Sequence, residues 1–217
     1  MILLENVCKT YPTRAGRKQV LSDIDIRIEK GERVGFLGRN GAGKSTLIRL
    51  ISGAELPDSG TVTRGMSVSW PLAFGGAFQT GLTGIDNLRF ICRIYGVSTE
   101  GKLDYVQEFA ELGDYIYEPL RTYSAGMRAR LAFAISMVIE FDCFLIDEVI
   151  AVGDDRFQRK CHVELFEKRS DRTMIIVSHN EYFIREHCNR IAILDSGRVL
   201  EFPSVDEAFD FYKLNYG

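Results

Sequence analysis

The segment GRNGAGKST, residues 38–46, restricts the fold more than any other stretch of this chain. The apolar run VGFL precedes it and TLIRLI follows it. A continuous apolar run bounded by turn residues reads as a strand buried on both faces, and the second run reads as a helix. Between them, Gly38, Gly41 and Gly43 let the backbone curl until successive N–H groups converge, and the positive end of the following helix adds to the field there. That arrangement suits phosphate, so a nucleotide site is expected. Lys44 would reach the β- and γ-phosphates, the Ser45 hydroxyl would ligate magnesium, and Thr46 would bond the α-phosphate side. Arg39, Asn40 and Ala42 complete the loop.

Three further apolar runs, CFLI (143–146), MIIV (174–177) and IAIL (191–194), are separated by helical patterns, which predicts a mainly parallel sheet. Residues 2–11 and 18–28 read as an antiparallel pair, the second alternating at Ile24, Ile26 and Ile28. A glycine cluster, then helical patterns near 85–95 and 102–112, predict a helical subdomain inserted at about 75–135. In the tail, Val205, Ala208, Phe209 and Tyr212 lie at helical spacing and are expected to pack back on the core.

Composition narrows the function. The net charge of −3 over 217 residues offers no basic footprint for nucleic acid, so no nucleic-acid partner is expected. The five cysteines are far apart and never form a CxxC pair, which suits neither a disulfide framework nor zinc and points to a reducing cytosol. The longest apolar run, Leu131 to Ile139, falls well short of the roughly 20 residues that span a bilayer. MILLENVCKTY does not read as a secretory signal, because Glu5 and Lys9 interrupt it. A membrane role would therefore come through a partner.

The second half of a nucleotide site requires a carboxylate at the end of a buried strand, and FLIDE supplies it. Asp147 closes the CFLI run and would hold magnesium through water. Glu148 follows at once, and neighbouring side chains on an extended segment point to opposite sides, so the two acids have different tasks. Glu148 is assigned to polarise the attacking water.

With GRNGAGKST, YSAGM (123–127), FLIDE and the later VSHN (177–180) in this order, the chain resembles the nucleotide-binding subunit of ABC transporters over essentially its whole length. The resemblance implies an α/β fold of the P-loop NTPase type over 1–217 as a single nucleotide-binding domain, with a mainly parallel sheet, an antiparallel β subdomain and the inserted helical subdomain. It also implies ATP and Mg2+, and a second copy of the chain packed head to tail. Ser124, Ala125, Gly126 and Met127 match the signature motif, which closes over the phosphate loop of the partner copy. The usual pattern is LSGGQ, and Tyr123, Ala125 and Met127 depart from it. Gln79 matches the loop glutamine that contacts magnesium or the attacking water and connects to the membrane partner. His179 matches the switch histidine that contacts γ-phosphate, Asp154 the aspartate that crosses the dimer interface, and Tyr11 the aromatic that stacks on adenine.

Locally, SWPLAFGGAFQTGLTG, YSAGMRARLAFA and IDEVIAVGD are similar to the capsular-polysaccharide export branch, whose O-antigen and teichoic-acid relatives often carry an added C-terminal domain. This similarity implies a polytopic membrane permease as partner, a polysaccharide contacted only through it, and a peripheral place on the cytoplasmic face of the inner membrane. Other readings are the ATPase subunit of an O-antigen or teichoic-acid exporter, a soluble ABC-type ATPase, whose translation or DNA-maintenance members carry two nucleotide domains or long coiled coils, and a P-loop kinase. The kinase would leave YSAGM and VSHN unexplained.

Overall fold

Alternation at Ile24, Ile26 and Ile28 turns one face of the second strand inward, and the computed structural model buries all three. It describes residues 1–72, 78–147, 154–178 and 180–216. Strand β1 (Ile2–Thr13) pairs antiparallel with β2 (Gly16–Ile28), setting Ile2 opposite Ile28, Leu4 opposite Ile26 and Val7 opposite Ile24. The register shifts along β1 between Leu4 and Val7, where Asn6 adopts φ 51° and its N–H turns to Asp25 Oδ1 at 2.8 Å.

The apolar runs form a second sheet. Its members are β3 (Arg33–Leu37), β5 (Val68–Pro71), β6 (Cys143–Asp147), β7 (Thr173–Val177), β8 (Arg190–Asp195) and β9 (Arg198–Glu201), in the order β5-β6-β7-β3-β8-β9. All neighbours run parallel except β8 and β9. Strand β4 (Ser59–Arg64) joins β1 on its free edge and makes the antiparallel sheet three-stranded. Helix α1 (Lys44–Ser52) lays Leu47, Ile48, Leu50 and Ile51 into one core with Val34, Phe36, Leu145, Ile175 and Leu194 of the parallel sheet and Ile2, Leu4 and Ile24 of the antiparallel one. Burying a leucine or isoleucine contributes about 1.5–3 kcal/mol each, so this shared core ties both sheets to the helix.

The chain divides into two compact units, Met1–Pro71 with Phe141–Glu148 and Asp171–Gly217, and Leu72–Glu140 with Val149–Ser170. Both sheets, α1, α6 (Glu181–His187) and α7 (Val205–Tyr216) belong to the first. As expected for the tail, α7 buries Ala208 and Phe209, and the Arg185 guanidinium stands 4.6 Å from the centre of the Phe209 ring. The second unit holds α2 (Gly84–Ile94), α3 (Lys102–Ala110), α4 (Ala125–Val138) and α5 (Asp155–His162), the last continuing into a π-turn at Val163–Glu167. Its boundaries differ from the 75–135 read from the sequence, because α5 is polar everywhere but Phe157 and Cys161 yet buries Phe157 5.5 Å from Phe109. Phe109 stacks in turn on Phe133 of α4 at 5.7 Å. No helix among the described residues is long and apolar enough to cross a membrane.

Candidate nucleotide-binding site

The parallel register brings strand ends together. Asp147 pairs with Val177, Val177 pairs with Phe36, and Leu37 pairs with Ile193. Strands lie about 4.8 Å apart, so the Asp147 backbone sits about 10 Å from the mouth of the glycine loop, two strands away. In open parallel sheets this carboxyl edge is where ligands bind.

At that edge the loop leaves β3 and enters α1. A Cβ on Gly38 would lie 2.5 Å from the Leu194 carbonyl oxygen, so only glycine lets the loop pass β8. Gly43 is the N-cap of α1 with φ 110° and brings no side chain to cap the first turn, an end of a helix that suits an anion. Lys44 is buried, and its ammonium donates to the Gly38 carbonyl at 2.6 Å and the Arg39 carbonyl at 3.1 Å. A buried cation held by backbone dipoles beside an uncapped helix end fits a polyphosphate. Arg39, Asn40 and Gly41 are exposed, Ala42 is half-buried against the core, and Ala42 N–H closes the turn on Arg39 O at 3.1 Å. Ser45 is exposed and Thr46 buried, and the Thr46 hydroxyl accepts from Arg49 at 3.3 Å. The Ser45 hydroxyl and the half-buried Asp147 carboxylate offer the oxygen donors that a hard divalent cation takes.

Tyr11 lies near the end of β1, opposite Lys18. Its hydroxyl donates to Glu55 Oε2 at 2.6 Å. Glu148 and His179 lie outside the described residues.

In the second unit, the Ser124 hydroxyl caps α4 by accepting the Met127 N–H at 3.2 Å. Beneath it Tyr123 is buried, with its hydroxyl on the Tyr115 carbonyl, while Arg128 donates to the Tyr123 carbonyl at 2.6 Å. The turn is thus pinned from below, and Ser124, Ala125 and Gly126 stay exposed. A Cβ on Gly126 would meet nothing nearer than Ser124 Oγ at 3.9 Å, which leaves room for a close approach from outside. Ala125 is the first residue of α4, where alanine suits the helix.

Gln79 is exposed, and its backbone is gripped by the side chain of Asn87, a fully buried asparagine in α2. Asp154 caps α5, its Oδ1 accepting the Phe157 N–H at 2.9 Å and its Oδ2 accepting from Arg130 at 3.2 Å. The Phe157 amide, and after it Arg130, hold this carboxyl below the usual range. Both its oxygens are therefore engaged inside this chain. Sequence reading missed Asn87, Arg49 and Glu55. For Asn87 the signal was there, a polar residue one turn before Ile91 on the buried face of an amphipathic helix.

Residues 21–151 match the ABC transporter family. The chain is 58% identical over 212 residues to the ATP-binding protein BexA of Haemophilus influenzae, covering 98% of each chain. It is equally 58% identical, again over 98% of each, to the capsule polysaccharide export ATP-binding protein CtrD of Neisseria meningitidis serogroup B. Among solved structures, a dimeric post-hydrolysis state of the ATP-binding cassette MJ0796 bound to ADP and Pi superposes with a TM-score of 0.75 at 22% identity, covering 94% of this chain and 99% of that one. That likeness confirms the α/β cassette fold with its mixed sheet. A family match across the glycine loop and the FLID strand, and relatives alike from end to end, place the chain in the ABC transporter family as one of its ATP-binding subunits.

Proposed function

We propose that this chain binds and hydrolyses ATP to power export of a capsular polysaccharide across the inner membrane. It works as a head-to-tail pair with a second copy, peripheral on the cytoplasmic face, beneath a polytopic permease that alone contacts the polymer. The observation that carries the reading is the 58% identity over 98% of both chains to a capsule polysaccharide export protein.

Each site residue takes a role in this reading. Lys44 and the uncapped N–H groups of α1 bind the phosphates. Ser45 and Asp147 would hold Mg2+, with Gln79 as a further ligand, and the ion when bound neutralises charge on the phosphate oxygens. Glu148 polarises the attacking water. His179 holds the γ-phosphate, and Tyr11 stacks on the base. Ser124, Ala125, Gly126 and Met127 close over the phosphates of the partner copy, and Asp154 crosses the same interface. The helical unit from Leu72 transmits closure to the permease through Gln79.

The test is deletion of this gene in its own host, complemented with the wild-type chain or with Lys44→Ala, followed by assay of polymer inside the cell and at its surface. Polymer retained inside, and released only by the wild-type chain, supports the proposal. Normal surface polymer in the deletion strain overturns it.

A further inference from the structure

Arg49 is an exposed arginine in the last turn of α1, yet its guanidinium is held on three sides. Nε donates to Glu55 Oε2 at 3.2 Å, and one terminal nitrogen lies 3.3 Å from both the Tyr11 hydroxyl and Thr46 Oγ1. The Tyr11 hydroxyl donates to the same Glu55 oxygen at 2.6 Å. Lys9 completes the group, its ammonium 3.1 Å from Glu55 Oε1 and 5.6 Å from the centre of the Tyr11 ring. One arginine therefore joins a tyrosine of the antiparallel sheet to a hydroxyl of the phosphate loop.

Local structure explains how these residues meet. Thr46 and Arg49 are three apart on one helix and share a face. Gly53 ends that helix in the left-handed region, φ 80°, and the chain turns back so that the Glu55 N–H bonds the Arg49 carbonyl at 3.2 Å. The returning segment brings Glu55 to the end of β1, where Tyr11 lies. The Tyr11 hydroxyl, and after it Lys9 and Arg49, hold the Glu55 carboxyl below its ordinary range, so it is ionised at neutral pH and the grip on the phenol is charge-assisted.

A phenol tethered only at Cβ samples several rotamers, whereas one also held at its far end does not. Base stacking rewards such pre-organisation, because less freedom is lost on binding. We propose that Arg49 and Glu55 are positioning residues that set the tilt of the Tyr11 ring and its separation from the phosphate loop, so that base and phosphates are gripped as one unit. The inference rests on the reading that Tyr11 stacks on the base, and extends it to side chains that touch the base only through Tyr11.

The test compares two ligands on the purified chain, ATP and inorganic tripolyphosphate, which carries phosphates and no base. Each displaces a fluorescent N-methylanthraniloyl ATP. Arg49→Met and Glu55→Gln are expected to lower the ratio of ATP to tripolyphosphate affinity about 3- to 10-fold. Arg49→Lys, which keeps the charge and loses the planar fork, lowers it as well. Tyr11→Phe lowers it too, and adding Glu55→Gln to Tyr11→Phe lowers it no further, since both remove one grip. A merely structural role would weaken both ligands equally. An unchanged ratio in Arg49→Met and Glu55→Gln overturns the inference. Tyr11→Ala separates the two claims: an unchanged ratio there sinks the stacking reading itself, whereas a lowered ratio there alone sinks only the positioning role.

Discussion

Asn87 and Gln79 exchange two hydrogen bonds, Gln79 N–H donating to Asn87 Oδ1 at 2.9 Å and Asn87 Nδ2 donating to the Gln79 carbonyl at 3.1 Å. The same amide donates to the Thr83 carbonyl at 2.9 Å, so one fully buried side chain ties the loop bearing Gln79 to the entry of α2. Replacing it by leucine keeps the branched shape and orphans several backbone groups at once. Asn87→Leu is expected to destabilise the fold by about 2–4 kcal/mol, measured by urea unfolding. Asn87→Asp keeps the acceptor but sets a buried carboxylate against the Gln79 and Thr83 carbonyl oxygens, so it also destabilises the fold at neutral pH and recovers as the pH falls and the carboxyl protonates.

Gly43 is the second test of local geometry. It sits at φ 110°, and a Cβ there would lie 2.9 Å from Leu21 Cδ2 and 3.0 Å from the Val20 carbonyl oxygen. Gly41 has a positive φ of 81° as well, but nothing lies within 4 Å of its Cβ position. Gly41→Ala therefore costs only the left-handed strain, about 1–2 kcal/mol. Gly43→Ala adds overpacking of about 1–3 kcal/mol and displaces the start of α1, so nucleotide affinity falls more than about tenfold. Thermal unfolding and nucleotide titration of both variants check the ranking.

Asp142 gives a pH signature. The backbone N–H and hydroxyl of Ser67 donate to its carboxylate at 3.0 and 2.9 Å, and Lys30 lies 3.2 Å away, pushing the carboxyl down to about 2. An unfolded aspartate titrates near 3.9. The depressed value means the stabilisation is fully present above about pH 4 and is lost as pH falls toward about 2. With the side chain 29% exposed, screening reduces the contribution to about 1–2 kcal/mol. Asp142→Asn should be less stable than wild type by that amount at pH 7, and the two unfolding curves should converge as the pH approaches 2. A difference that stays constant with pH would exclude the charge as its source.

What could be read without coordinates follows from how much a position is decided by its own segment. VGFL, CFLI, MIIV and IAIL are buried on every side in β3, β6, β7 and β8, and nothing but apolar residues survives there. Strands β4 (SGTVTR) and β9 (RVLE) escaped the reading because they lie at sheet edges, where mixed polar patterns carry little signal. Helix α5 was hidden because DRFQRKCH commits only Phe157 and Cys161 to the interior. The same logic divides the site. The phosphate loop was legible because its chemistry resides in the backbone and demands glycine and lysine at set spacing. Arg49 and Glu55 were not, because their partner Tyr11 comes from another strand, and a charged side chain on a helix face looks the same whether or not it is engaged.

The proposed head-to-tail pair separates residues acting in their own subunit from those acting on the partner. In the proposed pair Lys44, whose ammonium is held on the Gly38 carbonyl, acts on the nucleotide of its own chain, and Ser124, exposed at the head of α4, acts on that of the other. With Glu148 proposed to polarise the attacking water, Glu148→Gln is expected to lower turnover by about 10²- to 10⁴-fold while ATP binding persists. With ATP and Mg2+ this variant should elute as a trapped dimer in size-exclusion chromatography. Adding Ser124→Arg should return it to monomer with ATP binding per chain unchanged. Adding Lys44→Ala should abolish ATP binding and the dimer together. In the wild-type chain, turnover per subunit should rise with protein concentration, because the proposed site needs both copies. A dimer that survives Ser124→Arg, or turnover per subunit independent of concentration in a proven monomer, would contradict a site built from two chains.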